Sequence, residues 1–300
     1  MTYYAMAAAA VVLFSLQFWF NDRYQKHRGS AAKAAVVFSL GSNIAGFVTM
    51  LIINRFRLEY TPFSLIMAVA VALDGLGFLI FSLKAFSVIN LSLYSVFSML
   101  GGMTLPFILG LSVYREPFTA GKCCCFAFTA AALALTVKKG TQKKGYFYYA
   151  GIFILNGLSG VIAKIFQATD LPKVSNAGFS ALSAAVGAVL SGVLLLFVQD
   201  KTKTALPDAS GKPALPAKLR SSLRPLADMT AYGAVNRFAN FLVLVSLWHL
   251  PASAQAPFIS GGVIICSTLI AFVSKQKPTG RELAAVALAS TGIALLMVFG

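Results

Sequence analysis

The stretch from Pro62 to Leu83, PFSLIMAVAVALDGLGFLIFSL, decides the fold class of this chain. It is 22 residues long, and its one carboxylate, Asp74, lies near the middle. A helix rises about 1.5 Å per residue, so this stretch can cross the roughly 30 Å hydrocarbon core of a bilayer. A charged side chain at mid-membrane costs on the order of 3 kcal/mol, so Asp74 requires a partner or a water-filled cavity.

A second charged group lies at the middle of an apolar segment in the other half of the chain. Residues 225–249, PLADMTAYGAVNRFANFLVLVSLWH, carry Arg237. In one interpretation Asp74 and Arg237 face a cavity and bind complementary charges on a zwitterionic solute, or Asp74 exchanges a proton. In the alternative they form a buried ion pair that fixes the packing of the two halves. Ionisable groups inside a membrane are functional by default, and buried pairs stabilise little relative to apolar replacements.

The composition indicates a polytopic α-helical membrane protein. Of 300 residues 58% are hydrophobic and 11% are charged, whereas soluble domains carry about 25% charged residues. The net charge of +16 does not point to nucleic acid, because Lys and Arg in membrane proteins mark cytoplasmic loops. The four Cys and two His lack the spacing of a zinc site or a disulfide framework, so no metal or other cofactor is expected.

Apolar runs separated by charged or Pro/Gly-bearing breaks predict ten membrane spans. They are approximately 3–20, 34–53, 62–83, 87–113, 118–137, 147–167, 176–198, 225–248, 252–273 and 281–299. The first span lacks the positive start of a signal peptide and is predicted to be retained. Residues 199–224, rich in Pro, Lys and Ala, are predicted to form a basic loop outside the membrane.

The two halves of the chain resemble each other weakly. The basic link 138–144 separates residues 1–140 from residues 141–300, and each half has five predicted spans. Tyr-Tyr-Ala opens both halves (3–5 and 148–150), and SVFSMLGG (95–102) with REP (115–117) matches APFISGG (256–262) with KQKP (275–278). An odd number of spans per half gives the halves opposite orientations. The sequence therefore predicts two inverted five-helix repeats, with Asp74 and Arg237 at nearly equivalent positions.

The basic residues predict the orientation in the membrane. The loops after spans 1, 3, 5, 7 and 9 hold 18 Lys and Arg, those after spans 2, 4 and 6 hold five, and the loop after span 8 holds none. Cytoplasmic loops carry the excess of Lys and Arg. Both termini are therefore predicted to lie outside a multi-pass protein of the cell membrane.

Further polar residues within the spans are candidates for solute binding. Tyr232, Asn236 and Asn240 recur at i, i+4 and i+8, so they share one helix face, which Arg237 flanks. Lipid does not satisfy carboxamides, so this stripe lines a cavity or makes hydrogen bonds between helices. Single polar residues in other spans have the same two interpretations, packing or ligand contact: Gln17, Asn43, Asn90 and Asn156.

Other features favour structural interpretations. Lys164, near the end of the sixth span, is expected to extend to the membrane interface. Glu116 is expected to act at a helix junction rather than on a solute. The pairs Gly101-Gly102 and Gly261-Gly262 permit close helix crossing or helix bending. The run Cys123–Cys125 is expected to be three small apolar side chains.

The chain resembles the drug/metabolite transporter superfamily, specifically its EamA-like proteins. The match is clearest over residues 95–137, with Pro106 in the fourth helix and Glu116 in the link that follows; in the second half, Gln276 or Lys277 stands in place of the acid. The resemblance implies a secondary transporter with a central cavity between inverted halves. Relatives with ten spans usually keep both termini in the cytoplasm, which is opposite to the orientation that the charges predict.

The sequence predicts a secondary active transporter of a small polar or amphipathic metabolite that works by alternating access, and not an enzyme. Its expected partners are this solute and membrane lipids, without nucleic acid, in a monomer or homodimer. The alternatives are a proton-coupled exporter of cationic or hydrophobic compounds, a membrane enzyme acting on lipid, and a non-transporting assembly protein. Neither nucleotide-binding motifs nor an acid/histidine cluster of the kind a lipid enzyme uses is present in the sequence.

Overall fold

The computed structural model describes residues 2–28, 32–86, 91–136, 146–198, 215–273 and 280–299, which form ten α-helices and no strand. The helices are α1 (Thr2–Arg28), α2 (Ala32–Ile53), α3 (Pro62–Phe86), α4 (Leu91–Ser112), α5 (Ala120–Thr136), α6 (Tyr146–Ala168), α7 (Asn176–Phe197), α8 (Leu215–Leu247), α9 (Ala252–Val273) and α10 (Gly280–Phe299). Each corresponds to one apolar run of the sequence, so the all-helical prediction is confirmed for this part of the chain.

Two helices extend well past their predicted bounds. α1 continues to Arg28 instead of residue 20, since no Pro or Gly interrupts the charged stretch NDRYQKHR. α8 begins at Leu215, so the last ten residues of the predicted loop 199–224 are helical. This segment, LPAKLRSSLR, is rich in good helix formers, and its Pro216 lies in the first turn, where Pro is tolerated. Residues 199–214 and the link 138–144 lie outside the described residues.

Five helices are long and apolar enough to cross a membrane by length and composition: Thr2–Asn21, Lys33–Ile53, Ala150–Ala168, Asn176–Phe197 and Ala252–Ile270. Large apolar side chains also cover much of the outer surface, and Ile66, Leu73, Val189 and Leu196 are more than half exposed. An extended apolar exterior of this kind is typical of a protein embedded in a membrane.

The helices pack mainly across the two halves of the chain. α1 lies against α8 and α9, α2 against α7 and α8, α3 against α6 and α7, and α4 against α6 and α9. α5 and α10 pack against each other and beside α9. One apolar cluster joins four helices around Phe166 of α6, with Met67 from α3, Phe179 from α7 and Leu244 from α8; the Phe166 and Phe179 rings stack 3.8 Å apart. The intervening space holds the cavity described below.

Glycines let helix backbones touch at the crossings of α4 with α6 and of α2 with α8. A Cβ at Gly101 of α4 would overlap the Phe153 carbonyl of α6, and one at Gly233 of α8 would overlap the Ser42 carbonyl of α2. Only a residue without a side chain fits where a backbone approaches this closely. Close crossing, one of the two interpretations of the Gly101-Gly102 pair, is confirmed.

We call the two ends of the helix bundle end A and end B. The links after α2, α4, α6 and α8 lie at end A, where Asn54 Oδ1 accepts a hydrogen bond from Ser175 Oγ at 3.1 Å. End B is where α1 ends and α8 begins, and there Arg23 Nε lies 3.3 Å from Asp228 Oδ1. By the loop charges of the sequence, end B is the basic end.

Candidate functional site

A cavity of about 460 Å³ lies between α1–α4 on one side and α6–α9 on the other. Among the described residues, α5 and α10 contribute nothing to its wall. The wall reaches from Tyr24 and Ala35, towards end B, to Leu247 and Ala252, towards end A. Of the nine candidates for solute binding, Asn90 lies outside the described residues, and the other eight line this cavity: Gln17, Asn43, Asp74, Asn156, Tyr232, Asn236, Arg237 and Asn240.

Arg237 of α8 is held by two other helices. Its Nη1 donates a hydrogen bond to Ser183 Oγ of α7 at 3.1 Å, and its Nη2 donates to Asn43 Oδ1 of α2. Asn43 Nδ2 in turn donates to the Ser39 carbonyl at 2.9 Å. A guanidinium has five N–H donors in a rigid plane. The two hydrogen bonds to the protein therefore orient the group and leave donor capacity for a solute.

Two glycines make room for this arrangement. A Cβ at Gly46 of α2 would overlap the Arg237 side chain, and a Cβ at Gly187 of α7 would lie 2.8 Å from Asn43 Oδ1. Real Cβ atoms essentially never approach other heavy atoms this closely. Gly46 and Gly187 therefore leave the space into which the arginine stem and the asparagine amide fit.

Asp74 of α3 is buried, with 7% of its surface exposed, and its Oδ1 has no hydrogen-bond partner among the described residues. The ion pairs in this part of the chain are Arg23–Asp228 and Lys164–Glu116, so Asp74 and Arg237 are not paired. Asp74 lies on α3 and Arg237 on α8, and both helices pack against α6 and α7. The buried ion pair of the alternative interpretation is therefore absent from the described residues.

The remaining predicted amides make hydrogen bonds at the cavity wall. Asn236 Nδ2 donates to Gln17 Oε1 of α1 at 2.5 Å, and Asn156 Nδ2 of α6 donates to the Ser98 carbonyl of α4 at 2.5 Å. Asn240 Nδ2 donates to the Asn236 carbonyl of its own helix at 2.8 Å. Asn236, Gln17 and Asn156 therefore both line the cavity and join helices, whereas this hydrogen bond of Asn240 stays within α8.

An aromatic cluster forms the wall towards end B. The ring of Phe38 lies 4.6 Å from that of Tyr232 and 4.5 Å from that of Tyr24, measured between centroids. All three side chains line the cavity. The hydroxyl of Tyr24 donates to the Ala34 carbonyl at 3.0 Å, so its ring is fixed in place. This wall offers an apolar, polarisable surface for the uncharged part of a solute.

Several wall residues were not predicted from the sequence. Gln255 of α9 is 3% exposed, and its Nε2 donates to the Val243 carbonyl at 2.9 Å and to Ser246 Oγ. Ser180 and Ser183 of α7 also line the cavity, and Ser180 Oγ has no partner among the described residues. The spacing of Ser180, Ser183 and Gly187 places them on one helix face, which was the available signal; a lone Gln in an apolar run carried none.

The charges of the wall balance. Among the described residues that line the cavity, Asp74 and Arg237 are the two with ionisable acidic and basic side chains. A solute with one positive and one negative group would match both, whereas a singly charged solute would leave one of them without a counter-charge. The rest of the wall is apolar, aromatic, hydroxyl or amide, which suits a small amphipathic molecule.

Outside the cavity wall, Lys164 forms an ion pair that the sequence did not predict. Its Nζ lies 2.7 Å from Glu116 Oε1 in the link between α4 and α5, and its side chain is 12% exposed. The predicted extension of Lys164 to the membrane interface stays a prediction. Glu116 also accepts hydrogen bonds from the start of α9, which agrees with its predicted place at a helix junction. We call the group Glu116, Lys164, Ala252 and Ser253 the Glu116 junction.

Comparisons with known proteins show a shared fold but no family. No family model matches this sequence, and no curated protein matches it at a significant level. Among solved structures 28 chains match. One of them, described as a crystal structure of a protein, has a TM-score of 0.73 and 14% sequence identity, and the match covers 99% of this chain and 96% of that chain. The likeness shows a shared helical fold along nearly the whole of both chains.

Proposed function

We propose that this protein is a secondary active transporter that moves a small polar or amphipathic solute by alternating access through the central cavity. The observation that carries the proposal is the pair of opposite charges, Asp74 on α3 and Arg237 on α8, which line one cavity without forming an ion pair. Buried charges without a counter-charge are costly in a membrane protein, and a solute that supplies both counter-charges accounts for them. The solute class that fits is therefore a zwitterion with an apolar part.

The proposal includes ten membrane spans arranged as two inverted five-helix repeats in an EamA-like member of the drug/metabolite transporter superfamily. Helix packing supports the repeat. If each helix is exchanged for the one five places away, the contact of α1 with α8 becomes that of α6 with α3, and α4 with α6 becomes α9 with α1. The contact of α2 with α8 likewise becomes that of α7 with α3. Such an exchange is what repeats related by a two-fold axis in the membrane plane produce.

The test is a stability screen of the purified protein, followed by uptake into sealed vesicles. Amino acids, cations, nucleosides and sugars are added in turn, because a bound ligand raises apparent stability by mass action. Zwitterions are expected to raise the melting temperature and to be carried into vesicles. Asp74→Asn and Arg237→Gln are each expected to weaken binding by about tenfold to a hundredfold, the value of a hydrogen bond to a charged group.

Arg57→Gln is the matched control, since Arg57 is exposed in the link after α2. Its response to each ligand should equal that of the unmodified protein. The proposal fails if no solute class is carried, or if Asp74→Asn and Arg237→Gln bind the same ligands as the unmodified protein.

A second candidate is a proton-coupled exporter of cationic or hydrophobic compounds. The unpartnered Oδ1 of Asp74 favours it, because a buried carboxylate without a partner can take up a proton. Aromatic side chains in the wall, such as Phe14 and Phe78, would contact an apolar cation. Under this mechanism Asp74→Asn abolishes the dependence of transport on a pH gradient, and retention of full coupling excludes it.

A further inference from the structure

The link between α4 and α5 carries a carboxylate that is fully occupied by protein contacts. Glu116 Oε1 accepts a hydrogen bond from the Ala252 backbone N–H at 2.9 Å, and Oε2 accepts from the Ser253 N–H at 2.9 Å and from Ser253 Oγ at 2.6 Å. Lys164 Nζ completes the set at 2.7 Å, and the Glu116 side chain is 8% exposed. The carboxylate therefore caps the N-terminus of α9 and pairs with α6 at the same time.

Other groups hold the link itself in place. Lys122 Nζ of α5 donates to the Pro117 carbonyl at 2.8 Å, and Lys164 Nζ lies 5.1 Å from the centre of the Tyr114 ring. A Cβ at Gly110 of α4 would lie 2.9 Å from the carboxyl carbon of Glu116, so a glycine there makes room for the group. The charged residues that face Glu116 are thus Lys164 from α6 and Lys122 from α5.

All partners of Glu116 in the Glu116 junction belong to the second half of the chain. Glu116 lies in residues 1–140, whereas Lys164, Ala252 and Ser253 lie in residues 141–300. The contact therefore crosses between the two blocks of helices that enclose the cavity. It is also charge-assisted and largely shielded from water, which makes it stronger than an ordinary surface contact.

The Glu116 junction joins two cavity walls at end A. Ala252, Gln255 and Ala256 of α9 line the cavity, and so do Gly160 and Ala163 of α6, directly before Lys164. Movement of α9 away from α4 and α6 would widen the cavity at end A, and it would break the hydrogen bonds that Glu116 accepts from Ala252 and Ser253.

The corresponding link of the second half differs in sequence. REP (115–117) corresponds to KQKP (275–278), in which Gln276 or Lys277 replaces the acid. Neither side chain can pair with a lysine as a carboxylate does. Residues 274–279 lie outside the described residues, so the comparison of the two links rests on the amino-acid sequence alone.

We propose that the Glu116 junction is a latch that holds α9 against the α4–α5 link and α6 at end A, and that its release widens access to the cavity there. The repeat-related link lacks the acid in sequence, so the proposal concerns end A. The inference rests on the proposed function only in requiring a cavity that opens and closes, and its test needs no solute.

The test measures access to the cavity from each end. Ala256→Cys places a thiol in the wall near end A, and Ala35→Cys places one near end B. Each is treated with a charged, membrane-impermeant methanethiosulfonate in vesicles of both orientations. The parent protein, which retains Cys123, Cys124, Cys125 and Cys266, gives the background. Glu116→Gln is expected to speed labelling of the Ala256→Cys reporter from end A by about tenfold, since one charge-assisted hydrogen bond shifts an equilibrium that far.

Two further variants make the result specific. Ser253→Ala removes one hydrogen bond and keeps the ion pair, so it should give a smaller increase in the same direction and serves if Glu116→Gln does not fold. Glu59→Gln, an exposed acid in the link after α2, is the matched control at end A and should leave labelling unchanged. Labelling of the Ala35→Cys reporter should not rise in any of them.

Three outcomes would overturn the latch. The first is an unchanged labelling rate of the Ala256→Cys reporter in both Glu116→Gln and Ser253→Ala. The second is an equal increase of that rate in Glu59→Gln. The third is an equal increase of the labelling rates of both reporters, which would indicate general loosening of the bundle. Failure of this test leaves the transport proposal standing, and absence of solute uptake leaves the labelling result intact. The two proposals can therefore fail separately.

Discussion

Asp74 and Arg237 line the same cavity but differ in their hydrogen-bond partners. Arg237 makes hydrogen bonds to Ser183 and Asn43, while Asp74 Oδ1 has no partner among the described residues. The arginine is therefore pre-organised to meet an anionic group, and its planar fork suits a carboxylate. Under the proposed function, the carboxylate of Asp74 would acquire its partner from what enters the cavity, whether a cationic group or a proton.

Arg237→Lys should lower the affinity for a solute with an anionic group while the charge stays the same. A lysine ammonium is a single point charge that lacks the planar fork of the guanidinium. It therefore cannot donate hydrogen bonds to Ser183 and Asn43 and, at the same time, donate two parallel hydrogen bonds to the anionic group of a solute. We expect a loss of about tenfold or more in affinity, measured by the ligand-induced shift in melting temperature. Arg57→Lys, in the exposed link after α2, should leave the shift unchanged.

Gly46→Ala should destabilise the protein although alanine favours helices. The new methyl group would overlap the Arg237 side chain, and such overpacking costs about 1–3 kcal/mol. Gly75→Ala is the matched control, because Gly75 also lines the cavity and a Cβ there meets nothing within 4 Å. Gly75→Ala should be neutral or stabilise by up to about 1 kcal/mol. Unfolding of both variants in detergent measures the difference, and equal stabilities would contradict the packing argument.

Helix crossings set how closely the walls of the cavity approach. At Gly101 of α4 the neighbour is the backbone of Phe153 in α6, and a backbone cannot rotate away as a side chain can. α4 and α6 therefore approach to backbone contact near Asn156, whose amide bonds the Ser98 carbonyl of α4 at 2.5 Å. The close approach and the hydrogen bond support each other, because the amide reaches a carbonyl only across a short interhelical gap.

Gly101→Ala should separate α4 from α6 and cost about 1–3 kcal/mol or more, since the Phe153 carbonyl cannot give way. The loss should include weakening of the Asn156 hydrogen bond. Unfolding in detergent checks the stability. Gly192→Ala in α7 is the control, because its nearest contact is Leu40 Cδ1 at 3.9 Å, an ordinary van der Waals distance. A Gly101→Ala protein as stable as this control would show that the helices shift apart without cost.

The Glu116 junction gives one helix contact a defined pH dependence. Burial raises the pKa of Glu116, but hydrogen bonds from Lys164, from Ser253 and from the Ala252 N–H lower it by more, so it lies below the ordinary value of 4.5. The stability that this carboxylate contributes is therefore present above about pH 4.5 and is lost as the pH falls through the lowered pKa. At neutral pH the junction stays ionised.

We expect Glu116→Gln to lower stability at pH 7 and to reduce the loss of stability on acidification. Removal of one partner of a buried ion pair costs roughly 3–5 kcal/mol at neutral pH, because the other charge remains buried. Melting temperatures between pH 7 and strongly acidic conditions measure both effects. The Glu59→Gln protein should follow the curve of the unmodified protein. A parallel shift of the Glu116→Gln curve at all pH values would show that Glu116 does not titrate in this range.

For the molecule as a whole, the loop charges and the helix arrangement predict an orientation. The predicted loops after spans 1, 3, 5, 7 and 9, which connect helices at end B, hold 18 of the 25 Lys and Arg, and the positive-inside rule predicts that such an end lies in the cytoplasm. End A, with the Glu116 junction and both chain termini, is then outside. The latch proposed at Glu116 would accordingly control opening to the outside.

Reporters fused to Met1 and Gly300 should both be active on the outside of the cell, and a reporter inserted within 199–214 should be active inside. An alkaline phosphatase and a fluorescent protein, which function on opposite sides of a bacterial inner membrane, give the readout. Cytoplasmic termini, as in most ten-span relatives of the superfamily that the chain resembles, would show that features other than loop charge orient the protein.

The positions of the helices follow from local properties of the chain. Hydropathy and the breaks between apolar runs predict all ten helices, and α9 begins and ends where expected. α1 and α8 differ because helix propensity continues past the apolar run, which a hydropathy pattern does not measure. Mid-span charges and amides indicate the cavity residues for the same local reason: lipid does not satisfy them, so they point inward.

The partners of those residues follow only from the tertiary structure. Arg237 reaches Asn43 across 194 positions of sequence, Asn236 reaches Gln17 across 219, and Lys164 turns to Glu116. Separations of this size leave no trace in a local pattern, since they depend on which helix faces cross. The amino-acid sequence alone determined that the chain forms apolar helices with charges inside them. Packing across the two halves decided that Asp74 remains unpaired, Arg237 is held, and Glu116 closes a junction.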